Sequence, residues 1–169
     1  MEFKLLQKTL KKNNLYIIDD VASVKKIEAL SGSGASYCEE SFRREKQLIS
    51  INQYDHHIFI YLVKDKKTAW QTTETIRKAG GDFHALLNND KADHICTTNL
   101  STYENASYAL AEGMALSSYR FLKYRKDGAK KASTLKTIFF SNKSITTKQI
   151  EQLTATIQAD FIARNLVIE

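Results

Sequence analysis

The chain has 169 residues, of which 43% are hydrophobic and 26% charged, with a net charge of +6. That length suits a single domain able to bury roughly 68–70% of the surface its unfolded chain exposes. No stretch approaches the ~18 consecutive apolar residues of a membrane span, and Met1-Glu2-Phe3-Lys4-Leu5-Leu6-Gln7-Lys8 interrupts its apolar residues with charge, unlike a signal peptide. Cys38 and Cys96 stand far apart and suggest no disulfide framework, so both are expected to be reduced thiols of a cytoplasmic protein. Proline is absent, so no proline-rich linker divides the chain.

Leu15-Tyr16-Ile17-Ile18, ending in Asp19-Asp20, predicts a short buried strand. The next stretch, to Leu30, carries no single period, and Ser31-Gly32-Ser33-Gly34-Ala35-Ser36 has the composition of a flexible loop. Leu48-Ile49-Ser50-Ile51 and His57-Ile58-Phe59-Ile60-Tyr61-Leu62-Val63 predict strands joined by a polar turn from Asn52 to His56. The second is almost wholly apolar, as expected of a strand covered on both faces. From Thr68 the period lengthens: Ala69, Thr73, Ile76, Ala79, Phe83 and Leu87 recur at helical steps, with Gly80-Gly81 as a candidate bend or interruption.

His94-Ile95-Cys96-Thr97-Thr98 predicts a strand. A helix then runs from a Ser101 or Thr102 cap to about Tyr124, with Ala106, Leu110, Met114, Ser117, Phe121 and Tyr124 on its buried face. Leu135-Lys136-Thr137-Ile138-Phe139-Phe140 predicts another strand. Thr146 and Gln149 stand at capping-box spacing before a last helix whose stripe is Ile150, Leu153, Ile157, Phe161 and Leu166. Alternation of this kind favours an α/β fold, a mixed sheet flanked by helices.

Few constellations suggest chemistry. Asp55-His56-His57 and Asp93-His94 lack metal-ligand spacing, because adjacent histidines in a strand point to opposite faces. His84, beside Phe83 on a predicted helix, reads as structural. The Gly32-Ser33-Gly34 segment lacks the lysine and hydroxyl residue of a phosphate loop. Arg43 and Arg44 would lower the Cys38 thiol pKa if they approached it, but no base partner is apparent. The charge is clustered instead. Arg120, Lys123, Arg125, Lys126, Lys130 and Lys131 oppose only Asp127, and Tyr119, Phe121 and Tyr124 are interleaved with them. Lys4, Lys8, Lys11 and Lys12 form a second group. Basic residues mixed with aromatics suit single-stranded nucleic acid, and equally suit a helix with aromatics inward and cations outward.

Two strings carry a resemblance. Ala111-Glu112-Gly113-Met114-Ala115-Leu116-Ser117-Ser118-Tyr119-Arg120-Phe121-Leu122-Lys123-Tyr124 resembles the "A-E-G-x-x-L-x-x-Y-x-F-x-x-Y" helix of leucyl aminopeptidases, the two-metal cytosol aminopeptidase family. Ala163-Arg164-Asn165-Leu166-Val167-Ile168-Glu169 resembles the "A-R-(D/N)-L-V-N-E" string where that family passes from its N-terminal domain to its catalytic domain. The resemblance implies a macro-domain-like N-terminal domain spanning residues 1–169. Its last helix, from about residue 146 to 169, would lead toward a catalytic domain of the same polypeptide that holds two divalent metals. It also implies a homo-oligomeric parent peptidase, typically a hexamer. The family's catalytic strings, "N-T-D-A-E-G-R-L" and "K-G-x-x-F-D-S-G-G", are absent here, so no catalytic, cofactor-binding or metal-binding residue is assigned in this chain. Ile168 replaces the family's usual asparagine, and Val63-Lys64-Asp65 stands where a Gly-Leu-Gly turn is common, marking a divergent member. Two other functions fit parts of the sequence: a nucleic-acid-binding module built on the Arg120–Lys131 patch, and a stand-alone macro-type binder of ADP-ribose-like ligands.

Overall fold

Continuous apolar runs build the centre of the sheet. In the computed structural model, which describes residues 1–6, 13–66, 68–124, 126–128, 132–141 and 145–168, β2 (Asn14–Ile18) is buried along its whole length. β4 (His57–Leu62) is buried at every position after His57. They lie side by side and parallel within a six-stranded sheet. Its other strands are β1 (Glu2–Leu5), β3 (Leu48–Asn52), β5 (His94–Asn99) and β6 (Thr137–Phe140). The order is β1-β6-β5-β2-β4-β3, and only β3, paired with β4 through the 52–57 turn, runs antiparallel. The fold is therefore α/β with a mixed sheet, as the alternation of elements predicts.

Strand alternation divides the core into two layers. Leu15, Ile17, Phe59, Tyr61, Ile95, Ile138 and Phe140 pack with α2 (Ala69–Asn89), α3 (Ala106–Ser118) and α4 (Thr147–Ile168). Tyr16, Ile18, Ile49, Ile58, Ile60 and Leu62 pack with a 3₁₀ turn (Val21–Lys26) and α1 (Gly32–Arg43).

Three expectations about where helices begin and end need correction, and one strand is not anticipated. The Ser31–Ser36 segment is not a loop. The Ser31 hydroxyl caps α1 by accepting from the Gly34 N–H at 3.2 Å, and Cys38 and Phe42 bury one side of the helix. Glycine and serine there mark a helix start rather than a break. The 2–5 segment forms an edge strand although only Phe3 of it is buried.

The second correction concerns α2. Gly80 and Gly81 do not interrupt it, and its buried face is Thr72, Ile76, Gly80, Phe83, His84 and Leu87; Ala69 and Thr73 are exposed. The third is that α3 starts at Ala106 and stops at Ser118, short of Tyr124, because Tyr119 turns extended (φ −58°, ψ 131°). Ser101 and Thr102 bond to Asn99 and Asp19 instead of capping a helix. Ala106, Leu110 and Met114 are buried as expected, but Tyr124 is 73% exposed.

The start of α4 follows expectation. The Thr146 hydroxyl accepts from the Gln149 N–H at 3.2 Å, while the Gln149 side chain accepts from the Thr146 N–H at 2.8 Å. Leu153 and Ile157 are buried, and Ile150 and Phe161 pack against the same core. Leu166 departs from the predicted stripe: it is 70% exposed, in a run with exposed Ile162, Val167 and Ile168.

Candidate functional site

The helix bearing the Ala-Glu-Gly string is held by a close crossing. α2 and α3 pass at Gly80 and Gly113. A Cβ on Gly113 would lie 1.8 Å from the Arg77 carbonyl oxygen, and one on Gly80 would lie 2.2 Å from that of Leu110. No side chain larger than hydrogen fits between the backbones. Beside the crossing, Arg77 bonds Glu74 through Nε at 2.9 Å and stands 3.9 Å from the Glu112 carboxylate. Burial raises the Glu112 carboxyl above its ordinary range, against the opposing pull of Arg77.

The two strings of the sequence resemblance meet at the carboxyl ends of α3 and α4. The Tyr119 hydroxyl donates to Asn165 Oδ1 at 2.8 Å, and the Tyr119 ring lies 5.1 Å from that of Phe161. The Arg164 guanidinium sits 5.3 Å over the Tyr119 ring and forms an ion pair with Asp160 at 2.7 Å. Arg120 caps α3, donating to the Ser117 and Tyr119 carbonyls at 3.0 and 2.8 Å. Residues 46 positions apart thus form one joint between the helices.

Next to this joint, at the amino-terminal end of β1 and β6, lies a cavity of about 710 Å³. Tyr119, Arg120, Leu122, Ser133, Lys136 and Phe161 are among its lining residues. α2 ties its wall in place. His84 Nε2 and Ser133 Oγ are 2.8 Å apart, and the Asn88 side chain accepts from the Thr134 N–H at 3.0 Å. His84 is buried on α2 beside Phe83. Burial pushes its imidazole below the ordinary range, and the Arg120 charge adds to that shift.

Of the basic patch, Arg120, Lys123 and Lys126 are exposed, with the Lys123 ammonium 5.6 Å over the Tyr124 ring. Arg125, Lys130 and Lys131 lie outside the described residues, as do Lys8, Lys11 and Lys12 of the second group. Tyr124 and Phe121 pack edge to face at 5.8 Å beyond the end of α3 instead of lying on a helix face.

The strand ends where open α/β sheets usually hold ligands are tied to themselves. Chain direction reverses at β2, which places the usual crevice between the carboxyl ends of β2 and β5. There the Asp19 carboxylate accepts from the Thr102 N–H at 2.7 Å. Burial pushes Asp19 up, but the Thr102 hydrogen bonds outweigh it and hold the carboxyl below its ordinary range. Asn99 accepts from the Ser101 N–H at 3.0 Å and donates to the Tyr103 carbonyl at 2.7 Å. The turns Asp19-Asp20, Val63-Lys64-Asp65 and Leu100-Ser101-Thr102 contain no glycine with which to cradle a phosphate.

The remaining candidates are dispersed. His56 pairs with Asp55 at 2.6 Å and His94 with Asp93, while His57 stacks on Phe59. Among the described residues, no three of His, Cys, Asp and Glu are grouped to hold a metal ion. The condition for a lowered Cys38 pKa is not met. Arg43 and Arg44 turn to Glu40, and burial pushes the Cys38 thiol up to about 11 instead of down. Cys96 is also a free, buried thiol.

No family model matches the chain, and no curated protein matches it in sequence. Solved structures do match in fold. A tomato leucine aminopeptidase mutant superposes with a TM-score of 0.62 at 14% identity, over 94% of this chain and 35% of the other. The bottromycin maturation enzyme BotP gives 0.58 at 16% identity, over 92% and 32%. BotP in complex with Mn gives 0.57 at 17%, over 92% and 31%. The chain spans about a third of the length of the structures it resembles.

Proposed function

We propose that residues 1–169 are the non-catalytic N-terminal domain of a leucyl-aminopeptidase-type metallopeptidase. Its role is architectural: packing on a catalytic domain of the same polypeptide and shaping a cytoplasmic homo-oligomer. On this reading the two divalent metals belong to that catalytic domain. The observation that carries this reading is fold similarity over nearly all of this chain but only a third of a leucine aminopeptidase and of a bottromycin maturation enzyme. It is supported by the contact between the two resemblance strings and by the apolar end of α4. Ile162, Leu166, Val167 and Ile168 form an exposed surface of the kind a second domain covers.

An antibody raised against this chain tests the reading on extracts of its source cells. The expected species is far heavier than 19.3 kDa; a native species at 19.3 kDa overturns the proposal. Leu166→Glu separates the domain from its parent. In the isolated chain an exposed substitution shifts stability by no more than about 0.5 kcal/mol. In the full protein the buried charge should break domain packing and remove hydrolysis of a leucyl anilide. Equal destabilisation of both would place Leu166 in this domain's own core.

A second reading rests on the exposure of Arg120, Lys123 and Lys126 beside the Phe121–Tyr124 ring pair. A nucleic-acid-binding module using this patch should bind single-stranded DNA at low salt and lose affinity steeply between about 50 and 200 mM. Absence of binding at low salt removes it.

A further inference from the structure

The cavity at the foot of β1 and β6 has charges that its own residues leave uncompensated. Arg120 donates to the backbone carbonyls of Ser117 and Tyr119, which carry no net charge to balance its own. Among the described residues no carboxylate forms an ion pair with Arg120 or with Lys136. Glu2 also lines the cavity, but Lys4 neutralises it at 2.6 Å. The site is therefore net positive. Both cations are exposed and form a rim, whereas Leu135 beneath is buried and Tyr119, Phe161 and Leu122 are half-buried. The Ser133 hydroxyl lies in the wall, fixed from behind by His84 at 2.8 Å. A volume of about 710 Å³ lies within the ~300–1,000 Å³ range of small-molecule sites.

Two cations at a rim above an apolar, aromatic floor select a ligand that is charged at one end only. We propose that this cleft binds a small monocarboxylate whose body is branched-aliphatic or aromatic. The carboxylate pairs with Arg120 and Lys136, and the body lies on Tyr119, Leu122 and Phe161. An inorganic anion would leave the apolar floor wet, a cationic analogue would meet like charge at the rim, and a neutral one would form no ion pair there. The inference is independent of the peptidase reading, because it uses only side chains of this domain.

The test titrates the 169-residue chain with N-acetyl-leucine, followed by calorimetry and by backbone amide shifts. Leucinamide, which lacks the carboxylate, and inorganic phosphate, which lacks the apolar body, are titrated in parallel. The expected result is saturable binding of N-acetyl-leucine with shifts around residues 119–122 and 133–137, and at least about tenfold weaker binding of both controls. Lys136→Gln should weaken N-acetyl-leucine binding by about tenfold. Its side chain is exposed, and its backbone bonds to Glu2 and Asp93 persist, so the variant should keep the parent's melting temperature. Leu122→Asn gives a second, uncharged probe of the floor and should also weaken binding. Absence of saturable shifts overturns the proposal. So does leucinamide or phosphate binding as tightly as N-acetyl-leucine, or a folded Lys136→Gln that binds unchanged.

Discussion

Replacing Gly113 with alanine is expected to destabilise the chain by about 3 kcal/mol or more. For a domain of this size that lowers the melting temperature by roughly 6–12 °C. Two effects compete. Alanine in place of a helical glycine gains about 1 kcal/mol in helix propensity. Against this, the new methyl would sit 1.8 Å from the Arg77 carbonyl oxygen, an atom that cannot swing aside as a side-chain tip can. The helices must separate, and the buried contacts of Ala109, Leu110 and Met114 loosen with them. Gly80→Ala faces the same backbone obstacle at 2.2 Å and should behave alike. Gly81→Ala is the control: its nearest neighbour is Ser117 Cβ at 3.8 Å, so propensity should win and stability rise slightly. Scanning calorimetry of the three variants decides the matter; a Gly113→Ala melting temperature equal to or above the parent's would refute the crossing as described.

Phe83→Ala should cost about 3–5 kcal/mol. Phe83 is 1% exposed and meets the Phe59 ring edge to face at 4.8 Å. It also borders an existing cavity of about 100 Å³ walled by Leu15, Tyr61 and Leu110 among others. Removing the ring merges its volume with that void, and the strand and helix backbones around it restrict collapse. The loss therefore belongs near the upper end of the range. Leu86→Ala, three residues along the same helix but 40% exposed, should change stability far less. Denaturant unfolding of both separates the cases, and a Phe83→Ala variant within about 1 kcal/mol of the parent would show that the core repacks.

Legibility in the sequence followed the strength of the local signal. β4 was readable because His57–Leu62 is one apolar run, and the start of α4 because Thr146 and Gln149 carry a reciprocal cap in their spacing. β1 was not, since an edge strand with one buried residue has no periodicity to detect. α1 was hidden by glycine and serine, which serve loops and helix starts equally. The end of α3 is misleading in the sequence, because Phe121 and Tyr124 keep helical spacing after the backbone has turned away at Tyr119. The joint of Tyr119 with Phe161, Arg164 and Asn165 was legible only as two separate strings. Nothing local in either announces that they touch. The cavity escaped for the same reason, because its lining comes from segments that only the sheet order brings together.

The pairing of Glu2–Leu5 with Thr137–Phe140 has a consequence for biosynthesis. The β3–β4 hairpin closes one edge of the sheet through neighbours in sequence, and it can form early. The opposite edge joins β1 to β6, so Glu2–Leu5 must wait for Thr137–Phe140 to emerge. Until then β1 has no partner, and the sheet lacks both β6 and the edge that finishes it. A nascent chain halted before residue 137 would present β5 as a bare margin with unpaired backbone groups, open to pairing with another chain. Completion of this domain is thus a late, single event in translation, and chaperone protection would matter most over the interval between the emergence of β5 and that of β6.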